Sequence, residues 1–327
     1  MWNYRNRVAN DMAEQRRSAS GGWVRSDVRM DGKTVVITGG DQGIGFETAL
    51  DLARRGARVI MGSRKTDDGE KAKAKILEEC PDANVVAIKL NLASFESIYV
   101  FARQITVNEP RIDVLINNAA ITGCPKSTTV EGFDMQMGVN HIGHVFLIDQ
   151  LINLLQRSAP SRIIIVSSSD HKLGEMKWDD MMHDVDYSPL PMYFQTKLAN
   201  VYFCLELSRQ LRGSKVTCNC LNPGLVRGEG HSCPFKLFFT CCCCCLDRAV
   251  HISPQEGAQT SIYCAIAPEL QEVSGRYFNK CAEERLSNRA SNAEAAKRLW
   301  LMTHEWIDDV FRCSSLSEQT LVLTVSP

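Results

Sequence analysis

From Lys33 onward, short runs rich in Val and Ile alternate with longer segments of helical period. The runs are KTVVITG, ARVIMGS, NVVAIKLNL, DVLINNAA, RIIIVSSS, KVTCNCLNPG and GRYFN. Between them the helical period covers 44–55, 67–79, the stretch FESIYVFARQI, 131–156, 193–211, 254–267 and 292–307. In the first of these, Ile44, Ala49, Leu52 and Ala53 share a face, and Gly56 ends the segment where a left-handed residue is needed. Parallel strands cannot be joined by a tight turn. Apolar strands separated by helices therefore predict parallel pairing, right-handed crossovers and helices on both faces. The expected fold is α/β: a single doubly wound domain over 31–308 with a seven-stranded parallel sheet. Residues 1–30, polar and Arg-rich, are expected to be a loosely ordered lead-in, and 309–327 a short tail.

Ligands of such sheets gather at the carboxyl ends of the strands. The first strand runs there into TGGDQGIG, with Gly39, Gly43 and Gly45 spaced G-x-x-x-G-x-G. Glycines in a strand-to-helix turn let backbone and helix N-terminus approach a pyrophosphate, whose charge the helix dipole favours. A Gly-rich turn alone is also compatible with simple tight packing. The second strand ends at Ser63-Arg64-Lys65, where an NAD site would place a carboxylate for the ribose 2′-hydroxyl. A guanidinium there pairs with a 2′-phosphate, so NADP(H) is expected in preference to NAD(H), with NAD(H) still allowed. Asp41, within the turn, opposes that preference, and a merely solvated Arg64 is the bland alternative.

Of the seven tyrosines only Tyr193 has a lysine four residues on, Lys197, which puts both on one helical face. A phenol near pKa 10 exchanges protons poorly at neutral pH unless a cation favours its anion. Upstream, Ser167-Ser168-Ser169 ends the fifth strand and offers a hydroxyl to a substrate carbonyl.

TGGDQGIG, NNAA (117–120), GVNHIGH (138–144), VSSS, YFQTK and NPG (222–224) together resemble, in order and spacing, the short-chain dehydrogenase/reductase family over about residues 32–280. GVNHIGH, YFQTKLAN and SPQEGAQTSIYCA resemble its retinol dehydrogenase branch. The resemblance implies a Rossmann-type fold and a catalytic set of Asn140, Ser168, Tyr193 and Lys197. In that scheme Tyr193 is general acid or base, Ser168 orients the carbonyl, Lys197 lowers the Tyr pKa, and Asn140 holds a relaying water. The dinucleotide would lie along Gly39, Asp41, Gly43, Ile44 and Gly45, with Arg64, Asn91 and Asn118 beyond. Tyr193, Lys197, Pro223 and Gly224 would complete its site. The sequence departs from the family's usual residues at Asp41 (Asn), Asn91 (Asp), Thr196 (Ser) and Ala120 (Gly), none of them a catalytic group.

With 37 basic and 38 acidic residues the chain has no electrostatic footprint for nucleic acid. No apolar run of about 18 residues suggests a membrane-spanning helix, and residues 1–30 lack the apolar stretch of a secretory leader. The expected location is the cytoplasm or the periphery of an intracellular membrane such as the endoplasmic reticulum, not outside the cell. Fourteen cysteines, five of them consecutive at 241–245, are read as reduced thiols. The apolar, Cys-rich loop over 225–253 has three readings: a wall for a long lipid-like substrate, a membrane-surface contact through 233–246 with or without acylated cysteines, or a metal site. The last is disfavoured because contiguous cysteines lack paired zinc-site spacing, so no metal is expected. His141 and His144 are read as structural, and His171 as a candidate for the pocket mouth.

The substrate class expected is a hydrophobic alcohol and its aldehyde or ketone, a retinoid or another lipid carbonyl. The alternatives are a catalytically inactive nucleotide-binding scaffold acting through partners, and a reductase of small polar carbonyls. Self-association is left open.

Overall fold

A computed structural model describes residues 22–226 and 252–315, with side chains to 312. Among these residues the strands are β1 (Thr34–Thr38), β2 (Arg58–Ser63), β3 (Val85–Lys89), β4 (Val114–Asn117), β5 (Ser161–Val166), β6 (Val216–Asn222), β7 (Tyr277–Asn279) and β8 (Ala282–Glu283). They form one sheet in the order β3-β2-β1-β4-β5-β6-β7-β8. β1 to β7 are all parallel. The strand order reverses between β1 and β4, which opens the crevice of a doubly wound sheet at their carboxyl ends.

The sequence predicts seven strands; the eighth is a two-residue antiparallel addition to β7. Lys280 and Cys281 both take positive φ, 51° and 56°, and fold the chain back in a two-residue mirror-image turn. Such turns are usually announced by Asn-Gly or Asp-Gly, so Lys-Cys gave no signal.

The helices are α1 (Gly43–Arg54), α2 (Thr66–Glu79), α3 (Phe95–Asn108), α4 (Gly143–Arg157), α5 (Pro189–Gln210), α6 (Pro254–Ile266) and α7 (Ala293–Ser315). Strand side chains alternate between faces, and helices bury both faces. Val35, Ile37, Val59 and Met61 pack with Leu52 of α1, Ile76 of α2 and Ile262 of α6. Val36, Ile60, Leu115 and Ile163 pack with Phe101 of α3, Leu147 of α4 and Val201 of α5. Each fully buried side chain of this size contributes about 1.5–3 kcal/mol.

The helix expected over 131–156 is divided. Asp134 caps a short turn, Met135–Met137, by accepting from the Gln136 and Met137 N–H groups. A π-helical turn, Gly138–Ile142, then leads into α4. α7 continues past the expected end at 307. α6 opens with a reciprocal cap between Ser253 and Glu256. Its far end is closed from β5, where Arg162 donates to the carbonyls of Cys264 at 2.9 Å and Ala267 at 2.8 Å, a cation on the negative end of the helix dipole.

Residues 22–30 carry no regular element but lie against the domain. The Val24 N–H donates to Gln259 Oε1, Arg55 holds the carbonyls of Ser26 and Val28, and Met30 is buried.

Candidate active site

The turn after β1 requires glycine at three places. Gly39 and Gly43 sit at φ 65° and 53°, the left-handed region. At Gly45 a Cβ would lie 2.0 Å from the Gly39 carbonyl oxygen and 2.6 Å from Asn118 Nδ2. Backbone, helix and β4 therefore meet with no room for a methyl, while α1 starts at Gly43 without a side-chain cap from Gln42. That is the cradle an anionic diphosphate needs. Ile44 is buried behind the turn and Asp41 is half-buried within it.

Asn118 donates through Nδ2 to the carbonyls of Thr38 (3.0 Å) and Gly39 (3.3 Å), so it braces the turn from β4. Beside it, Asn117 has both side-chain polar atoms buried with no hydrogen-bond partner among the described residues. An orphaned buried amide at the switch point calls for an explanation, and a polar molecule in the crevice supplies one. Arg64 is exposed just past β2. Asn91 uses Oδ1 to accept from the Ala93 N–H at 3.2 Å, one of the two lone pairs an amide oxygen has. Pro223 and Gly224 follow β6. Gly224 has φ 89°, and its N–H donates to Asn222 Oδ1, which also accepts from the Ser169 N–H and so ties the ends of β5 and β6 together.

Tyr193 and Lys197 lie one turn apart on α5, with Lys197 Nζ 5.4 Å from the centre of the Tyr193 ring. Lys197 is buried and donates to the Val166 carbonyl at 3.1 Å, on the last residue of β5. The chain continues directly into the three serines. Ser167 is buried and donates to the Lys197 carbonyl, joining α5 to β5. Ser168 is half-buried, with Oγ accepting from the Asp170 N–H at 3.1 Å, and Ser169 is exposed. Of the three, Ser168 therefore combines partial access with an anchored backbone. Its carbonyl accepts from His171 Nδ1 (2.7 Å) and Tyr277 Oη (3.2 Å). His171 is fully buried against the Tyr277 ring, which makes it a support for Ser168; burial lowers its pKa.

Asn140 sits in the π-helical turn, buried. Its Oδ1 accepts from the Ile121 N–H at 2.8 Å, and its Nδ2 donates to the Ile121 carbonyl and to Thr196 Oγ1. Its own carbonyl faces Asn200 Nδ2 and His144 Nδ1. Thr38, Asn200 and Tyr277 were not singled out in the sequence, because their partners lie 60 to 109 residues away along the chain.

Residues 227–251 of the Cys-rich loop, and with them the membrane-contact reading and most of the lipid-wall reading, lie outside the described residues. No helix among the described residues is long and apolar enough to cross a membrane.

The chain that carries these features is similar to known proteins. The family model for short chain dehydrogenases matches residues 33–232. The chain belongs to the short-chain dehydrogenase/reductase family. The mouse protein named retinol dehydrogenase 14 is 43% identical over 282 residues, covering 83% of this chain and 84% of its own. Bovine retinol dehydrogenase 12 is 40% identical over 292 residues, 89% and 91% respectively. Within the family, the chain falls in the retinol dehydrogenase branch. A crystal structure of an uncharacterised Mycobacterium paratuberculosis protein superposes with a TM-score of 0.71 at 31% identity, covering 87% of this chain and 97% of that one. The Pseudomonas aeruginosa RhlG/NADP active-site complex gives 0.62 at 22% identity over 78% and 97%, and shows the shared fold. The protein is an oxidoreductase acting on an alcohol/carbonyl pair with a nicotinamide dinucleotide.

Proposed function

We propose that the protein is an NADP(H)-dependent enzyme interconverting a hydrophobic alcohol and its aldehyde or ketone, with a retinoid or similar lipid carbonyl as substrate. The carrying observation is the placement of Lys197 beneath the Tyr193 ring and against the end of β5, where Ser168 follows. Bound dinucleotide supplies or accepts the hydride. In reduction Tyr193 Oη gives its proton to the carbonyl oxygen, and in oxidation it takes the alcohol proton. The Lys197 ammonium favours the phenolate that remains. Ser168 Oγ accepts from the Asp170 N–H and keeps its own proton to donate to the same substrate oxygen.

Asn140 acts here by positioning. Its side-chain amide and carbonyl are engaged by Ile121, Thr196, Asn200 and His144, which supports a clamp on the Thr196 turn of α5 more than a water carrier.

Two features support the finer assignment. Arg64 stands where a carboxylate would favour NAD(H), and the neighbouring Lys65 is also exposed. Leu173, Leu190 and Leu225 are 65%, 53% and 49% exposed on segments that follow the carboxyl ends of β5 and β6 or open α5. Apolar side chains exposed to water on segments that follow these strand ends suit an apolar ligand. NADPH oxidation measured with a chain-length series of aldehydes and all-trans-retinal should speed up with length. Rates that fall with length point to small polar substrates instead, and no turnover with any aldehyde, NADPH being bound, leaves the scaffold reading.

NADPH is expected to bind at least about tenfold more tightly than NADH, the scale of one charge-assisted hydrogen-bond pair. Arg64→Asp should reverse the order in fluorescence titrations. A wild-type protein that binds NADH more tightly defeats this prediction.

A further inference from the structure

We propose that His144 is a positioning residue for the reaction, a neutral imidazole that locks the dinucleotide turn to the main chain of Asn140 and, through it, to the helix carrying Tyr193 and Lys197. The proposal rests on the catalytic reading of those two residues given above.

Counting donors fixes the imidazole's state. Thr38 Oγ1, at the end of β1, lies 2.9 Å from the Asn118 N–H and 3.0 Å from the Ala119 N–H and accepts both. A hydroxyl has two lone pairs and one proton, so the proton must go to its remaining neighbour, His144 Nε2, at 2.9 Å. Nε2 is then an acceptor, and the ring proton resides on Nδ1, which faces the Asn140 carbonyl at 3.3 Å. Asn200 Nδ2 reaches the same carbonyl at 3.1 Å from α5, the helix of Tyr193 and Lys197. The chain of bonds thus runs from the glycine turn through Thr38 and His144 to Asn140, and on through Asn200 to α5.

Surroundings keep the lock in that state. His144 is buried, and burial pushes its pKa down to about 3, with nearby Lys197 and His141 acting in the same direction. An imidazolium would turn Nε2–H toward Thr38 Oγ1, a third donor against a hydroxyl whose two lone pairs are already taken. If His144 merely filled space, an aromatic ring of similar size would replace it. If it positions, loss of its two nitrogens releases the turn from Asn140 and shifts the reacting groups by fractions of an ångström, to which turnover is far more sensitive than binding.

The test compares wild type, His144→Phe, Thr38→Val, Thr38→Ser and the double variant His144→Phe/Thr38→Val. For each, kcat and KM with an aldehyde at saturating NADPH are measured, together with the NADPH Kd and the melting temperature. His144→Phe, which removes both imidazole contacts, should lower kcat about tenfold with aldehyde KM held within about twofold, and Thr38→Val, which also unpairs the Asn118 and Ala119 N–H groups, should lower it at least as much. Thr38→Ser, which keeps the hydroxyl, should retain kcat, and the double variant should fall no further than the worse single. Wild-type kcat in folded His144→Phe overturns the proposal, and so does a double variant whose loss is the product of the two singles. If His144→Phe does not fold, equal kcat in Thr38→Val and Thr38→Ser overturns it. Tyr193→Phe assayed alongside separates the two readings, because its retained activity sinks the proton-donor assignment whatever the His144 variants do.

Discussion

Tyr193→Phe is expected to bind NADPH as the wild type does and to lose at least about a hundredfold in kcat, the lower end of what a positioned acid or base contributes. The substitution removes one oxygen and leaves the ring. That ring keeps its contact with Phe194, whose ring centre lies 6.3 Å away, and the face presented to Lys197. Tyr193 is half-buried near the start of α5, so little packing is at stake and the melting temperature should barely move. A loss confined to kcat identifies an interaction made in the transition state. Lys197→Met should also lower kcat, and it should weaken dinucleotide binding, Lys197 being one of the residues expected to complete the dinucleotide site. It should cost stability as well, since Lys197 is bonded to the Val166 carbonyl at the end of β5. Single-turnover measurement with bound NADPH and a long aldehyde separates chemistry from release. A Tyr193→Phe enzyme within about threefold of wild type in that assay would end the assignment of Tyr193 as proton donor.

What the sequence could reveal followed from how locally each feature is encoded. β1 reads as a strand because Val35, Val36 and Ile37 are buried on alternate faces and all must be apolar. The glycine turn was legible because its backbone geometry restricts the residue type at each position. Tyr193 and Lys197 were legible because helical spacing alone makes them neighbours. The π-helical turn was not. Its distinguishing feature is a hydrogen-bond offset of one residue, and GVNHI has the same apolar pattern either way. His144 was visible as a residue but not as a link, since Thr38 lies 106 residues away and only the folded sheet brings them together. The same holds for the support of Ser168: Tyr277 reaches it from β7, 109 residues on. Asn140 shows the limit most sharply. Its place in the family motif was clear, but that its polar groups are engaged by Ile121, Thr196, Asn200 and His144 depends on three separate segments.

Gly45→Ala should remove dinucleotide binding more completely than any surface charge change, raising the NADPH Kd at least about a hundredfold. The added methyl would sit 2.0 Å from the Gly39 carbonyl oxygen, well inside contact distance, and both atoms belong to backbone that is held elsewhere. The Gly39 N–H is bonded to the Gly62 carbonyl at 2.8 Å, and Asn118 Nδ2 bonds the carbonyls of Thr38 and Gly39. Relief therefore requires α1 to move away from β1, which opens the turn that would hold the diphosphate. Overpacking of this kind typically costs about 1–3 kcal/mol of stability, enough to lower the melting temperature without preventing folding. Binding supplies the sharper readout. A ligand at a hundred times its Kd stabilises the native state by about 2.7 kcal/mol but at one Kd by only about 0.4 kcal/mol, so NADPH should raise the wild-type melting temperature clearly and that of Gly45→Ala hardly at all at the same concentration. Gly213→Ala is the control for loss of stability alone, because Gly213 has a positive φ, 85°, which a side chain strains, but has nothing within 4 Å of its missing Cβ. It should lose stability through backbone strain and keep the full NADPH-induced shift. Equal NADPH shifts in the two variants would mean that the glycine turn does not carry the dinucleotide.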